Sequence, residues 1–394
     1  MKEKIPLNQA QKVIKETKLK LFRYQSFTPY SVKGLLYDEI FFAYPEELND
    51  PIDGKVTFRF HNHENRWINI LTQAWGNIPE VTLAAKNLMT HSNVTIFDLL
   101  DTAFLPHTLF DTDNSVKNLS TQRNKQIHLS EILSLYVSRW VRPDSASVSF
   151  SYSGDNNLMW SHYAGKHEGF CLIFRDDKGH LNQCPMRKRN GISKTHFCRK
   201  IQSTMPTEMK FEKVIYVPPS DTDYPDAFLL FPEVVYGESI TESARISYWE
   251  KVKLHQLTKN ENWEYEKEAR LILHSSQHQI SPNQRLFHYD FGQLVGIIFG
   301  MRMSDSRREQ LTEILCMKSE QHAMSSFKPK WIPDLILHEA GFDSNNSMGY
   351  RPTCAISHGR IIERHSEDFN IIYKKWEEDK CLYIDESGGG RIWP

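Results

Sequence analysis

The run Trp263-Glu264-Tyr265-Glu266-Lys267-Glu268-Ala269-Arg270 leads straight into the apolar triplet Leu271-Ile272-Leu273. Charges crowd the entry and aliphatics fill the continuation, as expected where a strand over Ala269–His274 passes from a polar edge into a core. Glu264, Glu266 and Glu268 alternate, and residues two apart on a strand share a face. The pattern predicts three carboxylates on one side of a strand entry. Like charges so placed repel unless cations or a ligand compensate. Lys259, Lys267 and Arg270 are the plain structural partners, and an exposed acidic edge strand is the other plain reading. A carboxylate pair beside a cleft is also what reactions through a sugar oxocarbenium ion use. One group stabilises the cation or its hydroxyl while the other handles a proton.

Outward from that run, the spacing predicts a short helix over Leu7–Thr17, then strands over Lys18–Tyr24, Glu39–Tyr44 and Lys55–Phe60, with a turn at Asn49-Asp50-Pro51 between the last two. From Glu64 to Trp140 the apolar residues adopt the i, i+3, i+4 signature of helices. β character returns over Ala146–Tyr152, followed by a helix over Asn157–Ala164 and a strand over Gly169–Phe174. Arg175 to Lys210 is polar and reads as a loop. Strands at Lys213–Val217 and Val295–Phe299 and helices at Ser243–Leu257 and Arg307–Met317 complete the middle of the chain. After Trp331 come short strands and a Gly-rich end. Strands separated by irregular helices, without βαβ alternation, favour an α+β class. The expected organisation is 1–63 as the first part of an α+β core, 64–142 as a helical insertion, 143–330 as the remainder of the core, and 331–394 as a C-terminal extension.

With 394 residues, 40% of them hydrophobic and 25% charged, the chain has the balance of a globular protein. Lys+Arg number 48 and Asp+Glu 49, so no net field steers it toward nucleic acid or an anionic membrane. The N-terminal segment lacks a signal-peptide apolar stretch, and the longest apolar run, Leu294–Met301, is strand-sized. No membrane association and a cytoplasmic location are the expectations. Six cysteines without a C-x-x-C pair read as free buried thiols. Phosphate-loop, dinucleotide-binding, zincin and nucleophile-elbow signatures are missing from the sequence.

Other candidates are short. Arg23-Tyr24 ends a strand, where an arginine can fork onto a phosphate or carboxylate, or form a surface ion pair. Leu48-Asn49-Asp50-Pro51, with Asp53 following, reads as turn chemistry. In Ser149-Phe150-Ser151 both hydroxyls face one way and Phe150 faces the core; the serines can hold sugar hydroxyls or be plain strand alternation. In Met159-Trp160-Ser161-His162-Tyr163-Ala164, Trp160 and Tyr163 are helix neighbours that either floor a nucleotide pocket or pack a core. His61 and His63 lack a third metal ligand, so no metal site is expected there. Glu378-Asp379-Lys380 has the E-x-K element of metal-dependent nucleases without a partner aspartate on a preceding strand.

Taken in order, R-Y, L-N-D-P, S-F-S, M-W-S-H-Y-A and W-E-Y-E-K-E-A-R resemble a bacterial family carried as a domain of unknown function. That family tends to show an R-Y start, an N-D-P turn, a W-x-x-Y-A helix and a Y-E-x-E-x-R strand entry. Leu48 replaces its usual Phe, and Ala269 a frequent aromatic. The order arginine, serine-x-serine, glutamate-x-glutamate is also distantly similar to the arginine–serine–glutamate class of ADP-ribosyltransferases. This second resemblance implies a split mixed or antiparallel β-sheet core with a helical insertion, and NAD as co-substrate. Arg23, with Tyr24 beside it, would hold the phosphate or ribose of NAD, and Ser149 and Ser151 would brace the site. Glu268 would stabilise the oxocarbenium ion and Glu266 would steer or deprotonate the acceptor, with Glu264 and Glu266 as the pair in a slipped register. Trp160 or Tyr163 would stack on a ring. The function implied is that of an NAD-consuming effector or phage-defence toxin with a protein or nucleic-acid acceptor and a possible antitoxin or defence-system partner. A metal-dependent nuclease or a non-catalytic nucleotide sensor are the competing functions.

Overall fold

The structure is a computed structural model that describes residues 20–50, 53–56, 58–60, 63–90, 145–187, 190–194, 200–204, 206–218, 224–230, 239–274, 282–324, 331–332, 334–378, 382–384 and 390–392. The expected helix over Leu7–Thr17 and the part of the helical block beyond Thr90 lie outside these residues. Nine strands form the central sheet. They are β1 (Lys20–Gln25), β2 (Ser145–Ser151), β3 (Phe170–Arg175), β4 (Glu212–Lys213), β5 (Glu268–His274), β6 (Leu294–Phe299), β7 (Leu335–Phe342), β8 (Met348–Ser357) and β9 (Arg360–Glu363), in the spatial order β9-β8-β7-β6-β3-β1-β2-β5-β4. Every neighbouring pair is antiparallel except β6 and β7. The protein is therefore α+β with a mostly antiparallel sheet, and residues beyond 330 supply three of its strands.

The helices are α1 (Pro29–Tyr37), α2 (Glu64–Trp75), α3 (Glu80–Thr90), α4 (Asn157–Tyr163), α5 (Glu242–Gln256), α6 (Asp305–Ala323) and α7 (Glu367–Glu377). None among the described residues is long and apolar enough to cross a membrane. The α6 helix follows β6 and precedes β7, which supplies the crossover that a parallel pair requires. Leu311 and Leu315 of α6 and Leu35 of α1 pack with Leu21, Phe150, Leu172, Phe174 and Leu271 on one sheet face. Phe22, Cys171, Ile173 and Ile298 face the other way, against Trp160 and Ala164 at α4 and Trp376 of α7. A separate core joins α2 and α3 to α5 through Trp67, Leu71, Ala85, Phe228, Tyr248 and Val252.

Two sequence expectations change. The stretch Arg175 to Lys210 is not a plain loop: it carries strands at His180–Asn182, Asn190–Lys194, Lys200–Thr204 and Glu208–Lys210, paired as two small hairpin-like sheets. Its polar composition hid them because two-stranded ribbons bury little. The Lys55–Phe60 segment shows no strand among its described residues, only an isolated bridge of Arg59 to Asp226. Cys171, Cys184, Cys316 and Cys354 are free thiols; Cys198 and Cys381 lie outside the described residues.

The turn after α4 reaches the sheet with no room for a side chain. A Cβ on Gly169 would stand 2.1 Å from the Gln25 carbonyl oxygen and 2.8 Å from that of Ala164, both backbone atoms that cannot step aside. We expect Gly169→Ala to destabilise the fold by about 2 kcal/mol or more. Gly341→Ala, in β7 with nothing within 4 Å of the added carbon, should stay within about 0.5 kcal/mol of the wild type. Urea unfolding of both variants checks the contrast.

Candidate functional site

The polar stretch of the second sheet face starts where β2 meets β5. Their register sets Glu268 opposite Ser151 and Arg270 opposite Ser149, and directly opposed residues share a face. Ala269 and Leu271 alternate into the apolar core with Val148 and Phe150, leaving both serines, Glu268 and Arg270 together on the other side. Ser149 Oγ donates to Glu268 Oε1 at 2.5 Å. Ser151 Oγ donates to the Glu266 carbonyl at 2.7 Å and accepts from the Ser153 N–H.

Glu266 does not arrive by strand alternation. Residues Glu261–Glu266 form a 3-10 turn, and Lys267 then adopts a left-handed conformation, φ 45° and ψ 53°. That kink breaks the pleat, so the expected row of three glutamates does not exist. Glu264 is exposed while Glu266 and Glu268 are buried, 4% and 2% exposed. The slipped pair Glu264 and Glu266 is therefore not brought together.

Two cations hold the buried pair. Arg270 forks onto Glu268 through Nε to Oε1 at 2.7 Å and Nη2 to Oε2 at 2.9 Å. It also reaches Asp53 at 2.9 and 3.0 Å, and Nη1 donates to the Gln256 carbonyl. Lys259 Nζ lies 2.6 Å from Glu266, 3.1 Å from Asp53 and 3.4 Å from Glu268. Three carboxylates against two cations leave one net negative charge, all of it at most 6% exposed. Burying ions costs several kcal/mol each, so such a cluster persists only because nearly every charge is paired.

The two glutamates respond oppositely. Burial pushes the Glu266 carboxyl above its usual range, only partly offset by Lys259 and the Tyr163 hydroxyl. Burial acts on Glu268 too, but Arg270, Lys259 and Ser149 together outweigh it and hold that carboxyl below the usual range. Neighbouring carboxylates pushed apart in this way are how protein sites separate a proton-handling group from a permanently ionised one.

Of the other candidates, Tyr163 belongs to the cluster. Its hydroxyl donates to Glu266 Oε1 at 2.5 Å and accepts from Asn49 Nδ2 at 3.0 Å, so its phenol is part of the hydrogen-bond network. Trp160 is fully buried, donates to the Gly154 carbonyl and meets Tyr24 edge-on at 5.3 Å. The Tyr24 hydroxyl donates to the Ser153 carbonyl. These two aromatics pack the neighbouring apolar cluster of the same face.

Arg23 is not brought to the site. Phe22 stands opposite Ser151, and Arg23 stands opposite Leu172. By alternation its side chain takes the face that holds Phe150 and Leu172, where its guanidinium lies 6.0 Å from the Phe150 ring. Desolvation there lowers its pKa to about 10, which leaves it charged at neutral pH.

The site also contains groups that the sequence offered only as structural neighbours or turn formers: Lys259, Arg270, Asp53 and Asn49. Tyr216 was not singled out at all; its hydroxyl accepts from the Glu268 N–H at 2.8 Å. The available signal was the density of cations beside an apolar strand, where charge has to be paired to be buried. His63 precedes α2 with its ring near Phe228, and His61 lies outside the described residues. Glu378 ends α7, while Asp379 and Lys380 lie outside the described residues. No group of three or more His, Cys, Asp or Glu poised for a metal occurs among the described residues.

Tyr163, Lys259, Glu266, Glu268 and Arg270 thus form one cluster across a single stretch of chain. Residues 159–271 match the DUF2971 family. The family is described as a protein of unknown function. The DUF2971 segment supplies the cations, both glutamates and the phenol, whereas Asn49, Asp53, Ser149 and Ser151 reach it from outside the matched span. No curated protein and no solved structure matches the chain.

A pH dependence follows from the two buried glutamates. A folded-state pKa raised above the ordinary 4.5 means that Glu266 contributes stability as the acid, lost as pH rises through its folded value. Glu268, lowered from 4.5, contributes above that value and loses its contribution as pH falls through its folded value. Glu266→Gln cannot ionise, so its stability relative to the wild type should rise as pH is raised from about 4.5 toward 8. Denaturant titrations of both proteins at matched pH check this; a constant difference would contradict it. Lys259→Met, which strips a cation from three carboxylates, should cost about 3–5 kcal/mol at pH 7.

Proposed function

We propose that this site is that of an NAD-dependent ADP-ribosyltransferase-like enzyme. It would cleave the nicotinamide–ribose bond and pass ADP-ribose to a protein or nucleic-acid acceptor. The observation that supports it is the divergence of two adjacent carboxylates, Glu268 held ionised by Arg270 and Glu266 drawn toward its neutral form, braced by Ser149, Ser151 and Tyr163. In this reading the C1′–N bond breaks with its electron pair leaving on nicotinamide. Glu268 stabilises the ribosyl oxocarbenium ion, and the acceptor nucleophile then bonds C1′ while its proton passes to the ionised carboxylate of Glu266, which its raised pKa makes the stronger base of the two.

Arg23 has no place in this arrangement, so the cations nearest the reacting groups are Arg270 and Lys259. The finer architecture, a split ADP-ribosyltransferase-like sheet, and a role as a cytoplasmic bacterial effector or antiviral-defence toxin rest on the motif order rather than on the geometry. A second reading, a nucleotide sensor without turnover, draws support from the burial of both glutamates.

Purified protein incubated with NAD and candidate acceptors should release nicotinamide, with Glu268→Gln slower by roughly 10²–10⁴-fold. Glu266→Gln should lose transfer to the acceptor while retaining slow NAD hydrolysis. Wild-type release no faster than that of Glu268→Gln, with both proteins folded, would sink the reading, and NAD binding without release would select the sensor.

A further inference from the structure

Asp53 differs from every other charge in the network. Glu268 is fixed by β5, by Ser149 Oγ and by its backbone bond to Tyr216, and Glu266 is tied to Tyr163. The Asp53 carboxylate meets only Arg270 and Lys259 among the described residues. Its backbone belongs to a turn, with its N–H on the Asp50 carbonyl and Gly54 beyond it at φ 71°. A cleft runs past this turn to Arg270, lined by Gly54, Ser145, Ser147 and Gln256. Gln256 is 2% exposed, and its Oε1 has no hydrogen-bond partner, so a buried acceptor stands unused on a residue that lines the cleft. Its free space amounts to about 10 Å³, room for no more than a single water. As it stands, it does not admit a nucleotide.

We propose that Asp53 is an internal stand-in for an oxyanion, and that the Arg270–Lys259 pair binds a phosphate or carboxylate group of a ligand when the Asp53 carboxylate swings away from the two cations. The charges permit the exchange. With Asp53 present, three carboxylates face two cations; with Asp53 withdrawn, a single phosphate or carboxylate end group of a ligand can take the place of its carboxylate between them. A guanidinium fork suits either a carboxylate or a phosphate. The unused acceptor Gln256 Oε1 would take a donor from the same ligand. The inference deepens the transferase reading by naming the group that the cations hold, yet it needs no turnover.

The experiment is calorimetric titration of wild type and Asp53→Asn with pyrophosphate, malonate and adenosine. Asp53→Asn removes the competing charge, keeps the shape and leaves the network neutral. It should bind pyrophosphate or malonate at least tenfold more tightly than the wild type, and the gain should vanish in Asp53→Asn with Arg270→Gln. A phosphate-specific site gains only with pyrophosphate, a general oxyanion site with both, and adenosine gains with neither. Equal affinity in wild type and Asp53→Asn, absence of binding to both, or an equal gain for adenosine overturns the proposal. Should Asp53→Asn fail to fold, the wild type decides. Its melting temperature should rise with pyrophosphate above that in sodium chloride of equal ionic strength, and no rise overturns the proposal. Nicotinamide release is not read in these titrations, so their failure and that of the transferase reading are separable.

Discussion

A guanidinium that is 1% exposed has to be neutralised where it sits, and the fold around Arg270 is arranged to do so. Strand pairing delivers Ser149 and Ser151, the left-handed Lys267 folds Glu266 back beside Glu268, the turn before Gly54 supplies Asp53, and the end of α5 supplies a carbonyl. Removing one of these leaves an unpaired charge in a low-dielectric interior, which costs far more than the pair contributes.

Much of this was legible in the amino acids. The strand entering at Glu268, the S-x-S strand with Phe150 in the core, the Asn157–Tyr163 helix and the strand at Phe170 fall within a residue or two of their expected places, since apolar spacing and turn residues report local structure directly. The charge-dense stretch ahead of Leu271 does contain the buried ion cluster, and pairing with Lys259 and Arg270 was among its plain readings. The failures share one cause. Which face Arg23 takes depends on its register against β2 and β3, and parity relative to a strand more than a hundred residues away is not written in the sequence around it. The row of three glutamates assumed a continuous pleat that Lys267 interrupts. For Tyr163, spacing showed which side of its helix it occupies but not that its hydroxyl ends on Glu266.

Two carboxylates of the same type are shifted in opposite directions. Glu268, forked by Arg270, lies below the ordinary range; Glu266, with one ammonium shared among three acids and a phenol on its other oxygen, lies above it. The asymmetry comes from the partners that each carboxylate meets. It also explains why burial alone is a poor guide here: the more buried carboxylate is the more acidic one.

The α5 helix ties this chemistry to a part of the molecule with no polar role. Tyr248, Val252 and Gln256 lie along one stripe of α5, the first two in the core with α2 and α3 and the third at the guanidinium. The carboxyl end of a helix carries a partial negative charge, so the helix acts as a rigid lever whose far arm is greasy and whose tip is electrostatic. Mutations that loosen the α2–α3 packing would shift that tip, making hydrophobic substitutions well away from any glutamate a means of tuning the protonation of the cluster.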